Sequence, residues 1–167
     1  MDMMDGLLGV NSEVTINFFY SGLKRFVQPR VTFDETLYAA SVLASYAQTS
    51  REAWVTPSPG NLSEVFDRFV LADEGGNDSE ILAIAGAECL LLVGFFRDQV
   101  RRRHNVRLYD QLGCSFFRRA SKHSTGKESG IYGRLALNFP PLALACRDLS
   151  RDLRDNLDNR YLLRFDS

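Results

Sequence analysis

Cysteine is sparse in this chain, and its spacing follows no pattern. Cys89, Cys114 and Cys146 form an odd set separated by 25 and 32 residues, with no CxxC pair. That leaves no zinc knuckle, no thioredoxin-like motif and no disulfide framework to read. Free thiols of this kind fit a cytoplasmic protein, the localisation expected here. Histidine is scarcer still, with His104 and His123 alone. Two imidazoles are too few for most transition-metal sites built from protein ligands, so neither a metal nor a cofactor is expected.

Long apolar runs are also missing. The longest, Ile81 to Phe96, is interrupted by Glu88 and falls short of the ~18–20 residues that a membrane span needs. The acidic start, Met1-Asp2-Met3-Met4-Asp5, does not read as a signal peptide, whose first region is basic. No HExxH, GxSxG or GxGxxG occurs. Ser124-Thr125-Gly126-Lys127 has the ending of a phosphate loop, but the pattern needs glycine where Ser121 stands and Ser or Thr where Glu128 stands. The net charge of −1 gives no whole-chain field of the kind that marks nucleic-acid or membrane binders.

What is present describes an ordinary globular chain. Its 167 residues are 45% apolar and 25% charged and predict one domain, 1–167. A chain of this size buries roughly 70% of its unfolded surface and folds without disulfides or metal. The charge, however, is segregated. Residues 1–96 carry 13 acids and 5 bases, residues 97–134 carry 3 acids and 10 bases, and residues 135–167 carry 5 of each. Either the basic middle packs beside the acidic first half, or it forms a face that recruits an anion.

Hydrophobic periodicity predicts an all-α fold. It is a single-domain bundle of about six or seven helices around a central apolar helix at about 79–103. Residues 12–27 read as a helix whose start, Val14-Thr15-Ile16, is ambiguous with a strand. Thr32 and Glu35 have capping-box spacing. The helix they open repeats Phe33, Leu37, Ala40, Leu43 (with Val42) and Tyr46 and should end near Thr49. Pro57, Pro59 and Gly60 place a loop at 51–61 with Trp54 as an anchor, followed by a short helix over Val65 to Leu71. Asp78 or Ser79 caps the central helix. Gly86 and Gly94 within it, eight apart, point to close helix–helix contact. Asn105 caps a helix at 106–122. The polar segment 121–130 is predicted to be a mobile loop, 131–137 a short helix, and Asn138 the cap of a last helix with proline in its first turn. Arg147/Asp148, Arg151/Asp152 and Arg154/Asp155 make its solvated face, and Tyr161 to Phe165 is a tail that can pack back.

Two groups of residues carry possible chemistry. Glu88 sits among Ala87, Cys89, Leu90 and Leu91. A carboxyl there is either half of a buried ion pair or a pocket acid, with Asp98 and His104 as its nearest candidates for company. The second group is the cationic set Arg97, Arg101, Arg102, Arg103, Arg107, Arg118, Arg119 and Lys122. Guanidinium forks suit phosphate and carboxylate. The neighbouring Phe95, Phe96, Tyr109, Phe116 and Phe117 fit the core stripe better than a base-stacking platform.

Val93-Gly94-Phe95-Phe96-Arg97-Asp98, then Arg101-Arg102-Arg103, then Tyr109-Asp110-Gln111-Leu112-Gly113 resembles a group of uncharacterised bacterial helical proteins. In these an apolar helix ends in Gly-Phe-Phe and a basic run, and a Tyr-x-x-Met/Leu-Gly element follows. The Phe19-Tyr20 helix and the segment from Leu135 to Leu149 are also alike. The resemblance implies an all-helical single domain and transfers no activity. With no catalytic constellation, the expected role is a non-catalytic helical module that binds a protein partner or self-associates as a homodimer. The alternative is a binder of a small anion or nucleic acid through the 97–122 arginines. An enzyme using Glu88 with His104 or Asp98 is the least favoured reading, and no membrane partner is expected.

Overall fold

The structure, a computed structural model, describes residues 12–53 and 78–156. These residues form a single-domain all-α bundle with no strand among them. The helices are α1 Ser12–Lys24, α2 Phe33–Ala53, α3 Ser79–Leu90, α4 Arg97–Val100, α5 Val106–Lys122, α6 Gly126–Leu137 and α7 Phe139–Asp155; a π-helical turn, Leu91–Phe95, joins α3 to α4. The expected helix over Val65 to Leu71, Trp54 and the tail from Tyr161 to Phe165 lie outside the described residues. None of the described helices is long and apolar enough to cross a membrane.

Local chemistry accounts for the helix boundaries. The Asp78 carboxyl accepts from the N–H groups of Glu80 and Ile81 at 2.9 and 3.4 Å, and Asn105 accepts from that of Arg107 at 3.1 Å. Both satisfy donors that a first turn leaves open. The β-branched start of α1 is helical, because Ile16 and Phe19 lie a turn apart and both enter the core. On α2 the expected Ala40, Val42 and Leu43 are buried, but the first turn of the stripe differs. Phe33 is exposed and meets Tyr20 edge-to-face, and Leu37 is half-buried, while Glu35, Tyr38 and Ala39 are inside.

The central helix is not one continuous α-helix over 79–103. The Phe96 N–H bonds back five residues to the Leu91 carbonyl at 3.0 Å, and the backbone turns at Phe96. The extra residue of a π turn shifts the phase of everything that follows. The expectation that Gly86 and Gly94 serve close packing holds, but against different helices. A Cβ on Gly86 would meet the Phe117 ring of α5 at 2.8 Å; one on Gly94 would lie 3.0 Å from the Cβ of Cys146 and 3.2 Å from the Ala143 carbonyl oxygen of α7. Both glycines are buried inside the chain and leave no surface there for a second copy.

Residues 121–130 are not a loop but two helix ends joined by three residues. The Ser121 hydroxyl donates to the Ser129 carbonyl at 2.7 Å, the Ser129 hydroxyl to the Ser121 carbonyl at 2.8 Å, and the Ser124 hydroxyl to the Ala120 carbonyl at 2.7 Å. Serines that suggested a solvated linker instead tie α5 to α6.

The core is aromatic. Phe19, Phe95, Phe116, Phe117 and Phe139 are fully buried, and each contributes on the order of 2–3 kcal/mol by leaving water. Phe117 meets Tyr38 edge-to-face at 5.7 Å and stacks on Tyr132 at 6.3 Å, so one ring ties α2, α5 and α6 together. The aromatics near the arginines thus belong to the core, with Tyr109 half-buried at its edge.

Candidate interaction surfaces

Glu88, Asp98 and His104 have different surroundings. Glu88 is half-buried on α3. Asp98 turns to α7, where the Arg151 fork donates to both of its oxygens at 2.9 Å and Arg154 donates at 2.6 Å. The Arg151 hydrogen bond, with that of Arg154, holds the Asp98 carboxyl well below the usual carboxylate range despite its partial burial. His104 is half-buried and edge-to-face with Tyr109 at 6.4 Å. Among the described residues no three His, Cys, Asp or Glu side chains converge as metal ligands do.

The fully buried acid is one that the helical pattern did not flag. Glu35 has no solvent exposure. Its Oε2 accepts from the Thr32 N–H at 2.8 Å and the Thr32 hydroxyl at 2.7 Å, and its Oε1 accepts from the Asn138 amide at 2.6 Å. The first of these is the half of the capping box expected from the spacing. The last bond crosses the molecule. Asn138 does stand at the N-terminus of α7, but its side chain caps nothing there; it is bonded to Glu35. The signal was available: Glu35, Tyr38, Ala39 and Val42 share a helical face, so the acid lies in an apolar stripe.

The arginines divide into two sets. Arg97 donates to the Val93 carbonyl at 2.8 Å and to both oxygens of Asp110 at 3.1 and 3.0 Å. It braces α4 against α5. Arg119 is half-buried. Arg101, Arg102, Arg103, Arg107 and Arg118 are exposed. Arg101 stands 4.0 Å from Asp98, and the other four have no ion pair among the described residues. The pairing of the basic middle with the acidic first half includes Arg134 with Asp34 at 3.5 Å. On α7 the expected solvated face is partly built into the scaffold, through Arg151 and Arg154 on Asp98 and through Asp152 on Arg25 at 2.8 Å.

A surface that the sequence did not announce lies between α1 and α7. It is an open groove of about 730 Å³. Val14, Phe18, Leu149 and Leu153 make its apolar lining, and Asn17, Asn156 and the Arg25–Asp152 pair stand at its polar rim. Val14 is 76% exposed. The groove forms because α1 and α7 touch lightly along one side, while α1 packs mainly on α2 and α7 on the π turn.

Comparison with protein-family models, curated proteins and solved structures gives no match. A functional reading therefore rests on these surfaces.

Proposed function

We propose that the chain is a non-catalytic helical module that self-associates through the groove between α1 and α7. The observation that carries this reading is the groove itself, an apolar trough with one cation and one anion at its rim. A two-fold contact uses the same patch on both copies, so the patch must complement itself. Arg25 and Asp152 meet that requirement: their pair is exposed, at 56% and 43% of side-chain surface, and can exchange partners with the same pair of a second copy. Exposed pairs of this kind contribute little to the monomer, about 0–1 kcal/mol, so exchange costs little. Asp98, one of the acids considered for catalysis, is held instead by Arg151 and Arg154 of α7.

Native mass spectrometry tests the reading. The expected species is twice the 18.9 kDa of one chain. Arg25→Asp alone and Asp152→Arg alone should each give monomers, because like charges then face each other across the contact. Mixing the two variants should restore a mixed dimer, since each copy now supplies the charge that the other lacks. A monomeric parent at high micromolar concentration, or dimers indifferent to both reversals, refutes it.

A further inference from the structure

A run of exposed arginines starts where α4 ends and continues along α5. Arg101, Arg102 and Arg103 form the turn after α4, and Arg107 lies in the first turn of α5. Arg118 is eleven residues further on and Lys122 fifteen; both are exposed. At 100° per residue these three α5 positions fall within about 60° of one another, so they form a row along the outer ridge. From Arg107 to Lys122 the row runs about 22 Å.

This run differs from the rest of the surface. Elsewhere Arg25, Arg97, Arg134, Arg147, Arg151 and Arg154 each hold an acid within 4 Å. In the turn and the row that follows it, Arg102, Arg103, Arg107, Arg118 and Lys122 hold none among the described residues, as is also true of Arg30. The nearest acids along the chain are already occupied, Asp98 by α7 and Asp110 by Arg97. Glu88, on the helix packed against α5, is half-buried. Arg107 also stands in a first turn that contains no acid, where the helix dipole disfavours a cation. Like charges that follow one another along a surface without counter-charges repel each other, most strongly between the adjacent Arg102 and Arg103. An anionic partner of matching length would relieve that repulsion.

We propose that this α4–α5 run is a docking surface for the phosphodiester backbone of a nucleic acid. The row is linear, as a strand's phosphates are, and about 22 Å corresponds to about six or seven phosphate steps along one strand of a duplex. Five of the six cations are arginines, whose planar forks bond phosphate oxygens in pairs. A lipid surface would present a plane of headgroups and an apolar layer below it. On α5 itself the large exposed apolar side chain among the described residues is Leu108, too little for insertion. Contacts made to the phosphates carry no sequence information, so this binding depends on charge and not on sequence.

Fluorescence anisotropy of labelled, mixed-sequence duplex DNA, duplex RNA and single strands provides the test. At least one should bind at low salt. Log affinity should fall with log salt at a slope of about −4, the value for five phosphate contacts. The triple variant Arg102→Gln, Arg107→Gln, Arg118→Gln should weaken binding more than tenfold and lower the slope by about 2–3. All three positions are exposed, and an unchanged far-UV spectrum confirms that the variant folds. Arg30→Gln removes an exposed charge elsewhere and should change nothing. The proposal is overturned by no polynucleotide binding at low salt, by a triple variant that binds like the parent, or by Arg30→Gln weakening binding as much per charge. Binding to phosphatidylserine vesicles that depends on these arginines, without polynucleotide binding, would also overturn it, in favour of a membrane surface. Because the readout is affinity and not mass, it stands apart from the dimer test.

Discussion

The contact between Glu35 and Asn138 supports a sharp test of the fold. Three donors converge on a carboxyl with no solvent exposure, one of them from a residue 103 positions away. Asn138→Ala removes the donor to Oε1 and leaves that oxygen buried with no donor to replace it. The expected cost is about 2–3 kcal/mol, which lowers the melting temperature of a chain this size by about 5–10 °C. Asn138→Asp preserves shape but sets an acceptor against an acceptor at 2.6 Å, and should cost more than the alanine variant. Glu35→Gln alone is also costly, because its new NH2 group must face either the Asn138 amide or the two Thr32 donors. The decisive double variant combines Glu35→Gln with Asn138→Asp. The new amide then donates to the new carboxyl, while its oxygen still accepts from Thr32. Urea denaturation followed by far-UV circular dichroism should place the double variant well above the sum of the two singles, with a coupling energy of about 1–3 kcal/mol. Additive losses would mean that the two side chains do not meet as described, and the reasoning fails.

Other contacts lead to further expectations. Asp98 is held below its ordinary carboxylate value by Arg151 and Arg154. The stability it contributes is therefore complete above the unfolded value of about 3.9 and is lost as pH falls toward the lower folded value. Asp98→Asn should lower stability at neutral pH and flatten the acid limb of a stability–pH profile; an unchanged limb would show that the clamp contributes nothing. Gly94→Ala should destabilise by about 1–2 kcal/mol even though alanine is the better helix former, because the α7 backbone stands 3.2 Å from the added carbon; equal or higher stability by urea denaturation would contradict the close approach. Burial pushes the Cys146 thiol up to about 12, and burial followed by the charge of Glu88 raises Cys89, whereas Cys114 is raised but only half-buried. A disulfide reagent on the native protein should therefore label Cys114 first, with Cys89 and Cys146 reacting only on unfolding, as peptide mass mapping would show.

The all-α class was legible because apolar spacing, caps and helix-ending residues agreed along most of the chain. Asn105 and Lys122 bound α5 where the pattern placed it. Three features escaped, each for a physical reason. The break at Leu91–Phe95 was hidden because every residue there is apolar and a π turn has no composition of its own. Residues 121–130 read as a loop because serine prefers turns in isolation; here each hydroxyl has a tertiary or local acceptor that offsets the preference. The buried acid was sought at Glu88, since apolar neighbours in sequence suggested burial. On a helix the neighbours three and four residues away decide. Those of Glu88 include the exposed Ile84 and the half-buried Leu91, whereas the two that follow Glu35 on its helix, Tyr38 and Ala39, are both buried.

The π turn also explains how charges of the same sign came to have different roles. Arg97 and Asp98 are adjacent, yet the phase set by Leu91–Phe95 turns the first toward α5 and the second toward α7. Arg97 reaches Asp110, and Asp98 takes two arginines from the last helix. This single turn of α4 therefore brackets the bundle from both sides with Arg97 and Asp98, whose side chains are 17% and 14% exposed, so their ion pairs are screened less than fully exposed ones. It also uses the two acids closest to the basic turn. Arg101, Arg102 and Arg103 follow immediately and are left facing solvent. In sequence the ten bases of residues 97–134 look like one cluster. In the fold some of them, such as Arg97 and Arg134, hold an acid on another helix, while Arg102, Arg103, Arg107 and Arg118 face solvent with no ion pair among the described residues. Arg97→Gln should consequently lower stability, whereas Arg102→Gln should leave it within about 0.5 kcal/mol of the parent. Thermal denaturation of the pair tests this division, and equal losses at both positions would remove its basis.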